Sequence, residues 1–133
     1  MEVESSPTER ELEILKVLWE LGEASVREVY EALAAQRPVV QNTVQAFLRT
    51  MEEKGLVTHR ADGRTFIYQP VFKRRETEQR LVWGVLQKVF DGAVDQMVQS
   101  ALSLKKPSAE ELDRLEALIK QHKAARRGKQ VGP

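Results

Sequence analysis

The sequence predicts a mainly α-helical fold carrying one small β-hairpin, and three observations lead there. Apolar residues recur at helical spacing in six separate runs. Three of those runs open on a capping box, a Thr or Ser followed three residues later by Glu. Between the third and fourth runs, two short strand-like stretches flank Asp62-Gly63, a favoured tight-hairpin pair whose residues tolerate positive φ. Three helices followed by a hairpin is the order of a winged helix-turn-helix. The chain is therefore expected to hold such a head at its N-terminus, with further helices behind it.

The first helix opens at Thr8-x-x-Glu11, repeats Leu12, Leu15, Leu18 and Trp19, and stops at Gly22. The second opens at Ser25-x-x-Glu28, runs through Val26, Val29, Tyr30 and Leu33, and cannot pass Pro38. Residues Ala24 to Val26 are placed to form a one-bridge strand against the hairpin. In the third helix Val44, Phe47, Leu48 and Met51 fall at i, i+3, i+4 and i+7, which turns Gln41, Asn42, Gln45, Ala46 and Arg49 outward. Its first turn begins at Val40 or at Asn42, the latter being the better N-cap. Lys54, Gly55 and Leu56 supply a cation, a left-handed residue and a closing apolar contact, the components of a helix stop. Val57 to Arg60 and Thr65 to Tyr68 are the hairpin strands, with Ala61 to Arg64 between them.

Past Pro70 the helices carry more apolar surface than a small domain covers. A fourth helix, Lys73 to Phe90, bears the stripe Val82, Val85, Leu86 and Val89, widened by Leu81, Trp83 and Phe90. Asp91-Gly92 breaks it, and a fifth helix follows with Val94, Met97, Val98, Ala101 and Leu102 in register. A sixth opens at Ser108-x-x-Glu111 and bears Leu112, Leu115, Leu118 and Ile119. Single stripes on short helices are marginal in isolation, so pairing with a second copy is the economical expectation. The dimerisation set is Val82, Val85, Leu86, Val89, Val94, Met97, Val98, Leu102, Leu112, Leu115 and Ile119. Packing of all six helices into one domain is the plain alternative. Residues 123–133 are basic and aperiodic and are expected to be a disordered tail. The expected organisation is a head over 1–72, a helical dimerisation region over 73–122 and that tail.

Composition narrows the function. The 133 residues include no cysteine, which excludes disulfides, thiol catalysis and thiolate metal sites. No apolar run is long enough to span a bilayer or serve as a signal peptide, so a cytoplasmic protein without membrane insertion is expected. His59 and His122 are the only histidines and stand on separate elements without ligand-like spacing, so each reads as a surface histidine. Glu52-Glu53 and Glu110-Glu111 are adjacent on helices and point apart, which makes poor acid/base pairs. No enzyme, cofactor or metal site is expected. Net charge is only +1 but unevenly spread: residues 37–80 hold nine basic and five acidic side chains, against three and nine over residues 1–36. The helix-plus-hairpin segment is the basic one, and local positive potential is what a phosphate-binding surface requires.

The outward face of the third helix carries groups that read base edges. Gln and Asn pair bidentately with adenine, Arg with guanine, and a methyl of Thr or Ala meets that of thymine. Gln41, Asn42, Thr43, Gln45, Ala46 and Arg49 are therefore the candidate base-reading residues for double-stranded operator DNA. Arg37, Arg60 and Arg64 suit phosphates, which fix register without reporting sequence, and Thr65 is a further phosphate donor unless it is a simple strand residue. The alternative is a winged helix used for protein contact.

Thr8-Glu9-Arg10-Glu11 leading to Val17-Leu18-Trp19, Thr43-Val44, Glu53-Lys54-Gly55-Leu56-Val57, Gly63-Arg64-Thr65-Phe66-Ile67-Tyr68-Gln69-Pro70, Phe90-Asp91-Gly92 and Ser108-Ala109-Glu110-Glu111-Leu112 occur in order. Together they resemble the penicillinase-repressor family, also called BlaI/MecI/CopY. The resemblance implies a homodimeric bacterial transcriptional repressor with an N-terminal winged helix, C-terminal helices that interlock two subunits, and a dyad operator. The copper-responsive branch carries paired C-terminal cysteines, which this chain lacks. In the antibiotic-responsive branch a membrane metalloprotease sensor cleaves the repressor at an Asn-Phe bond. The matching place here is Ser100-Ala101, a departure that speaks against cleavage as the inducing step. Gln41-Asn42 stands where family members vary, so the operator sequence does not carry over.

Overall fold

The computed structural model describes residues 6–131, with side chains through residue 128. The chain divides into two compact units, one reaching Val89 and the other starting at Phe90. The first holds α1 (Glu9–Leu21), β1 (Ala24–Ser25), α2 (Val26–Ala34), α3 (Gln41–Glu53), β2 (Val57–Asp62), β3 (Thr65–Pro70) and α4 (Arg74–Lys88). The second holds α5 (Val94–Leu104) and α6 (Ala109–Val131). The fold is mainly helical with an N-terminal winged helix-turn-helix, as the sequence predicts.

The helix boundaries arise from local chemistry. At α1 the Thr8 N–H donates to Glu11 Oε1 at 2.9 Å while the Glu11 N–H donates to Thr8 Oγ1 at 3.2 Å. Ser25 and Glu28 repeat the exchange at α2, again at 2.9 and 3.2 Å. At α6 the Glu111 N–H donates to Ser108 Oγ at 3.1 Å. These bonds satisfy amides that the helix itself leaves without partners. Val40 is the N-cap of α3 although its side chain offers no capping bond, so the Asn42 alternative is not the one taken. It ends with the Leu56 N–H on the Met51 carbonyl at 2.9 Å and the Gly55 N–H on that of Glu52 at 3.0 Å. This is a Schellman cap, and Gly55 takes the required positive φ of 80°.

The sheet is antiparallel throughout, in the order β1-β3-β2. The short strand β1 is present, with Ala24 opposite Tyr68 and Ser25 opposite Ile67. The hairpin differs from expectation by one residue: Asp62 pairs with Thr65, so Gly63 and Arg64 are the turn and both strands are longer. Gly63 occupies the first turn position at φ 64°, the place where a two-residue turn of this kind favours glycine. The core of this unit joins Ile14, Leu15 and Leu18 of α1, Val29 and Leu33 of α2, Val44, Leu48 and Met51 of α3, and Leu56, Val57 and Tyr68. The indole N–H of Trp19 donates to the Phe72 carbonyl at 2.9 Å, which ties the segment after the hairpin to α1.

The apolar stripe of α4 stays in the open: Val82, Val85 and Val89 are exposed, and it is Thr77 and Gly84 that are buried. In the second unit no side chain of α5 is buried, and none of the described side chains of α6 is. Between them Val94, Val98, Leu102, Leu112, Leu115 and Ile119 line a broad apolar hollow of about 920 Å³, edged by His122, Lys123 and Arg126. The tail expected to be disordered from residue 123 is instead a continuation of α6 to Val131. Ala124, Ala125, Arg126 and Arg127 are strong helix formers, and cations suit a helix C-terminus. Residues 132 and 133 of that tail lie outside the described residues.

Candidate nucleic-acid interface

Helix α3 is held by Val44, Leu48 and Met51, all buried, and this fixes which side chains face outward. Gln41, Asn42, Thr43, Gln45, Ala46 and Arg49 are all exposed. Five of them border two hollows. Gln41 and Gln45 border a shallow groove with Arg64, Thr65 and Phe66 of the hairpin and with Ser25 and Arg27 at the start of α2. Asn42, Thr43 and Ala46 border a second hollow with Thr8, Thr50 and Lys54. Arg27 has no place among the residues that sequence reasoning selects. Its signal is its position in the first turn of α2, beside the Ser25 cap, and in the free protein it pairs with Glu31 at 3.0 Å.

The cations chosen for phosphate contact differ in availability. Arg64 at the turn has no ion-pair partner among the described residues. Arg60 donates to Glu23 Oε1 at 2.7 Å. That hydrogen bond holds the Glu23 carboxyl below its ordinary range and raises the Arg60 guanidinium. Arg37 donates to Glu13 Oε2 at 2.5 Å and so ties the loop before α3 to α1. Two of the three arginines are thus engaged by acids distant in sequence.

Two further contacts lie beyond what the sequence predicts. Glu11, a capping residue by its spacing, is also buried, and Lys54 Nζ donates to its Oε1 at 2.7 Å. Burial pushes this carboxyl upward, but the Lys54 ammonium and the Thr8 amide outweigh it and leave it below its usual value. His59, expected at the surface, is half-buried with Nδ1 at 2.7 and 2.8 Å from the two carboxylate oxygens of Glu52. Its ring stacks on Phe66, centroids 4.1 Å apart.

The penicillinase repressor family's profile matches residues 7–121. The penicillinase repressor of Bacillus licheniformis is 27% identical over 116 residues, which is 87% of this chain and 91% of that protein. The transcriptional regulator BlaI of Mycobacterium tuberculosis is 34% identical over 79 residues, 59% of this chain and 57% of its own length. Among solved structures, the complex structure of hsRosR-S4 superposes with a TM-score of 0.50 at 21% identity, covering 89% of this chain and 90% of that one, a likeness of fold. The family match takes in the head and most of the helical region behind it, and the chain belongs to the penicillinase repressor family of transcriptional regulators.

Proposed function

We propose that this chain is a sequence-specific repressor that binds a dyad operator as a homodimer, with α3 in the major groove and the β2–β3 wing on the phosphate backbone. The observation that carries the reading is the outward face of α3: Gln41, Asn42, Gln45 and Arg49 are exposed and no acid stands among them before Glu52. Such a face offers base edges donors and acceptors without repelling phosphate. Membership in a family of regulators supports it, as does the name of the Bacillus licheniformis relative, a penicillinase repressor. Homodimerisation is supported by α5 and α6, whose apolar stripes find no burial within the chain. Among the described residues no helix is long and apolar enough to cross a membrane. Ser100 and Ala101 sit inside α5, so a protease would have to unwind that helix to reach the bond between them.

Arg49→Ala and Gln45→Ala are each expected to lower specific affinity by about 1 to 3 kcal/mol for a bidentate base pairing removed, with the melting temperature nearly unchanged. Fluorescence anisotropy on an operator recovered by genomic DNA pull-down measures this, with random duplex as the reference. Wild-type affinity in both variants would remove α3 from the groove, and equal affinity of wild type for operator and random duplex would end the sequence-specific reading.

The wing acts differently. Arg64→Ala is expected to weaken binding to all sequences alike and to reduce the slope of log affinity against log salt by about 0.9, the value for one phosphate left unneutralised. Arg60→Ala adds a smaller loss, because Arg60 must first leave Glu23 to reach a phosphate. Titrations across salt concentrations separate these effects, and an unchanged slope in the double variant would take the wing off the backbone.

A further inference from the structure

We infer that His59 is a positioning residue: its bridge to Glu52 sets the wing against α3. The inference rests on the DNA-binding reading for its consequence, but its mechanical part concerns the free protein alone. His59 lies on β2 and Glu52 in the last turn of α3, so one contact joins the two elements that are to meet DNA at the same time. Both carboxylate oxygens lie within 2.8 Å of Nδ1, and Phe66 stacks on the ring from β3, so the imidazole is clamped from two elements. Tyr68, opposite His59 in the ladder, closes the third side with its ring at 5.5 Å.

Burial raises the phenol of Tyr68 beside the ring, and Glu52 adds to the rise while Arg49 opposes it. Arg60, the next residue along β2, points to the other face of the sheet and is held by Glu23. Among the described residues Glu52 is therefore the anion that the His59 ring meets. The pair is about one-third exposed on each side, which screens the bond and keeps its contribution modest. A wing held more firmly at the correct angle loses less freedom on docking, so affinity rises.

Two variants test the bridge. E52A removes it and leaves the Phe66 stack, while H59Q replaces the ring by an amide that can still donate to Glu52. In free protein, hydrogen-exchange protection of the hairpin amides is expected to fall about threefold in E52A, with the α1 and α3 core amides unchanged. H59Q should keep most of the wild-type protection. On operator DNA, E52A should bind about threefold more weakly than wild type, and H59Q close to it. Unchanged hairpin protection in E52A overturns the inference whether or not DNA binds. Wild-type affinity in E52A together with weakened binding in H59Q makes the imidazole a direct phosphate contact and overturns it equally. A wild-type protein that ignores DNA would instead sink the repressor reading, and the exchange data alone would then decide the bridge.

Discussion

Truncation after Phe72 is expected to leave a folded, monomeric head whose affinity for a two-half-site operator is lower by about 10²- to 10⁴-fold. The head keeps the whole of its own core and the Trp19 bond to Phe72, and it sheds the exposed stripe of α4 together with α5 and α6. It forfeits the linkage that makes the second half-site encounter intramolecular. Two heads of a dimer must meet successive major-groove faces about 34 to 36 Å apart or a multiple of it, so half-sites should be spaced by whole helical turns. Leu115→Asp in the full chain should act like the truncation, because a carboxylate in the apolar hollow between α5 and α6 would be buried unpaired on association. Sedimentation velocity alongside operator titration tests both. A monomeric wild-type chain, or a truncated head that binds as tightly as the intact one, would rule out the dimer.

The second large effect is on stability. Lys54→Met should cost about 3 kcal/mol near neutral pH, since it leaves the Glu11 carboxylate buried without its cation and held by Thr8. For a domain of this size each kcal/mol is about 4 to 8 °C in Tm. The pH dependence has a definite sign. The folded protein holds the Glu11 carboxyl below its ordinary value, so its contribution is fully present above that value and is lost as pH falls through the depressed one. Without Lys54, burial acts unopposed except by the cap and favours the neutral acid. The gap between wild type and variant should therefore narrow as the medium is acidified below about pH 5. Glu11→Gln added to Lys54→Met should recover part of the loss at neutral pH. Thermal melts across pH decide it, and equal Tm values at neutral pH would show that the pair contributes nothing.

Local features were legible in the amino-acid order. A capping box, a Gly stop and an apolar period each need only a few adjacent residues: the boxes of α1 and α2, the Ser108 cap of α6 and the Lys54-Gly55-Leu56 stop lie where their spacing puts them. The outward face of α3 was legible for the same reason, because Val44, Leu48 and Met51 fix its rotation. Pairings across the fold were not. Glu11 meets Lys54 from 43 residues away, Arg37 meets Glu13 and Arg60 meets Glu23, and nothing in the spacing of either partner announces the other. The hairpin turn is displaced by one residue because Asp-Gly and Gly-Arg both permit a tight turn, and only the paired register decides between them. Residues 123–131 lack apolar periodicity, which suggests disorder, but their helix propensity is high and extends α6.

The acids that hold Arg60 and Arg37 have a consequence for a regulator that searches a genome. On the repressor reading, Glu23 and Glu13 compete with every phosphate the protein meets, on right and wrong sequences alike. Equilibrium preference depends on the ratio of the two affinities, and a competition common to both leaves that ratio where it was. Time on the DNA is another matter. A weaker grip shows mainly as faster release, so each halt on a wrong sequence is shortened. A cognate site adds base contacts along α3, which are independent of those carboxylates and prolong the stay there. Because wrong sites outnumber right ones by orders of magnitude, the search is spent almost wholly on the former. Where Arg60 and Arg37 take phosphates, Glu23 and Glu13 act as release springs, speeding the passage of the protein over sequences it is not meant to hold.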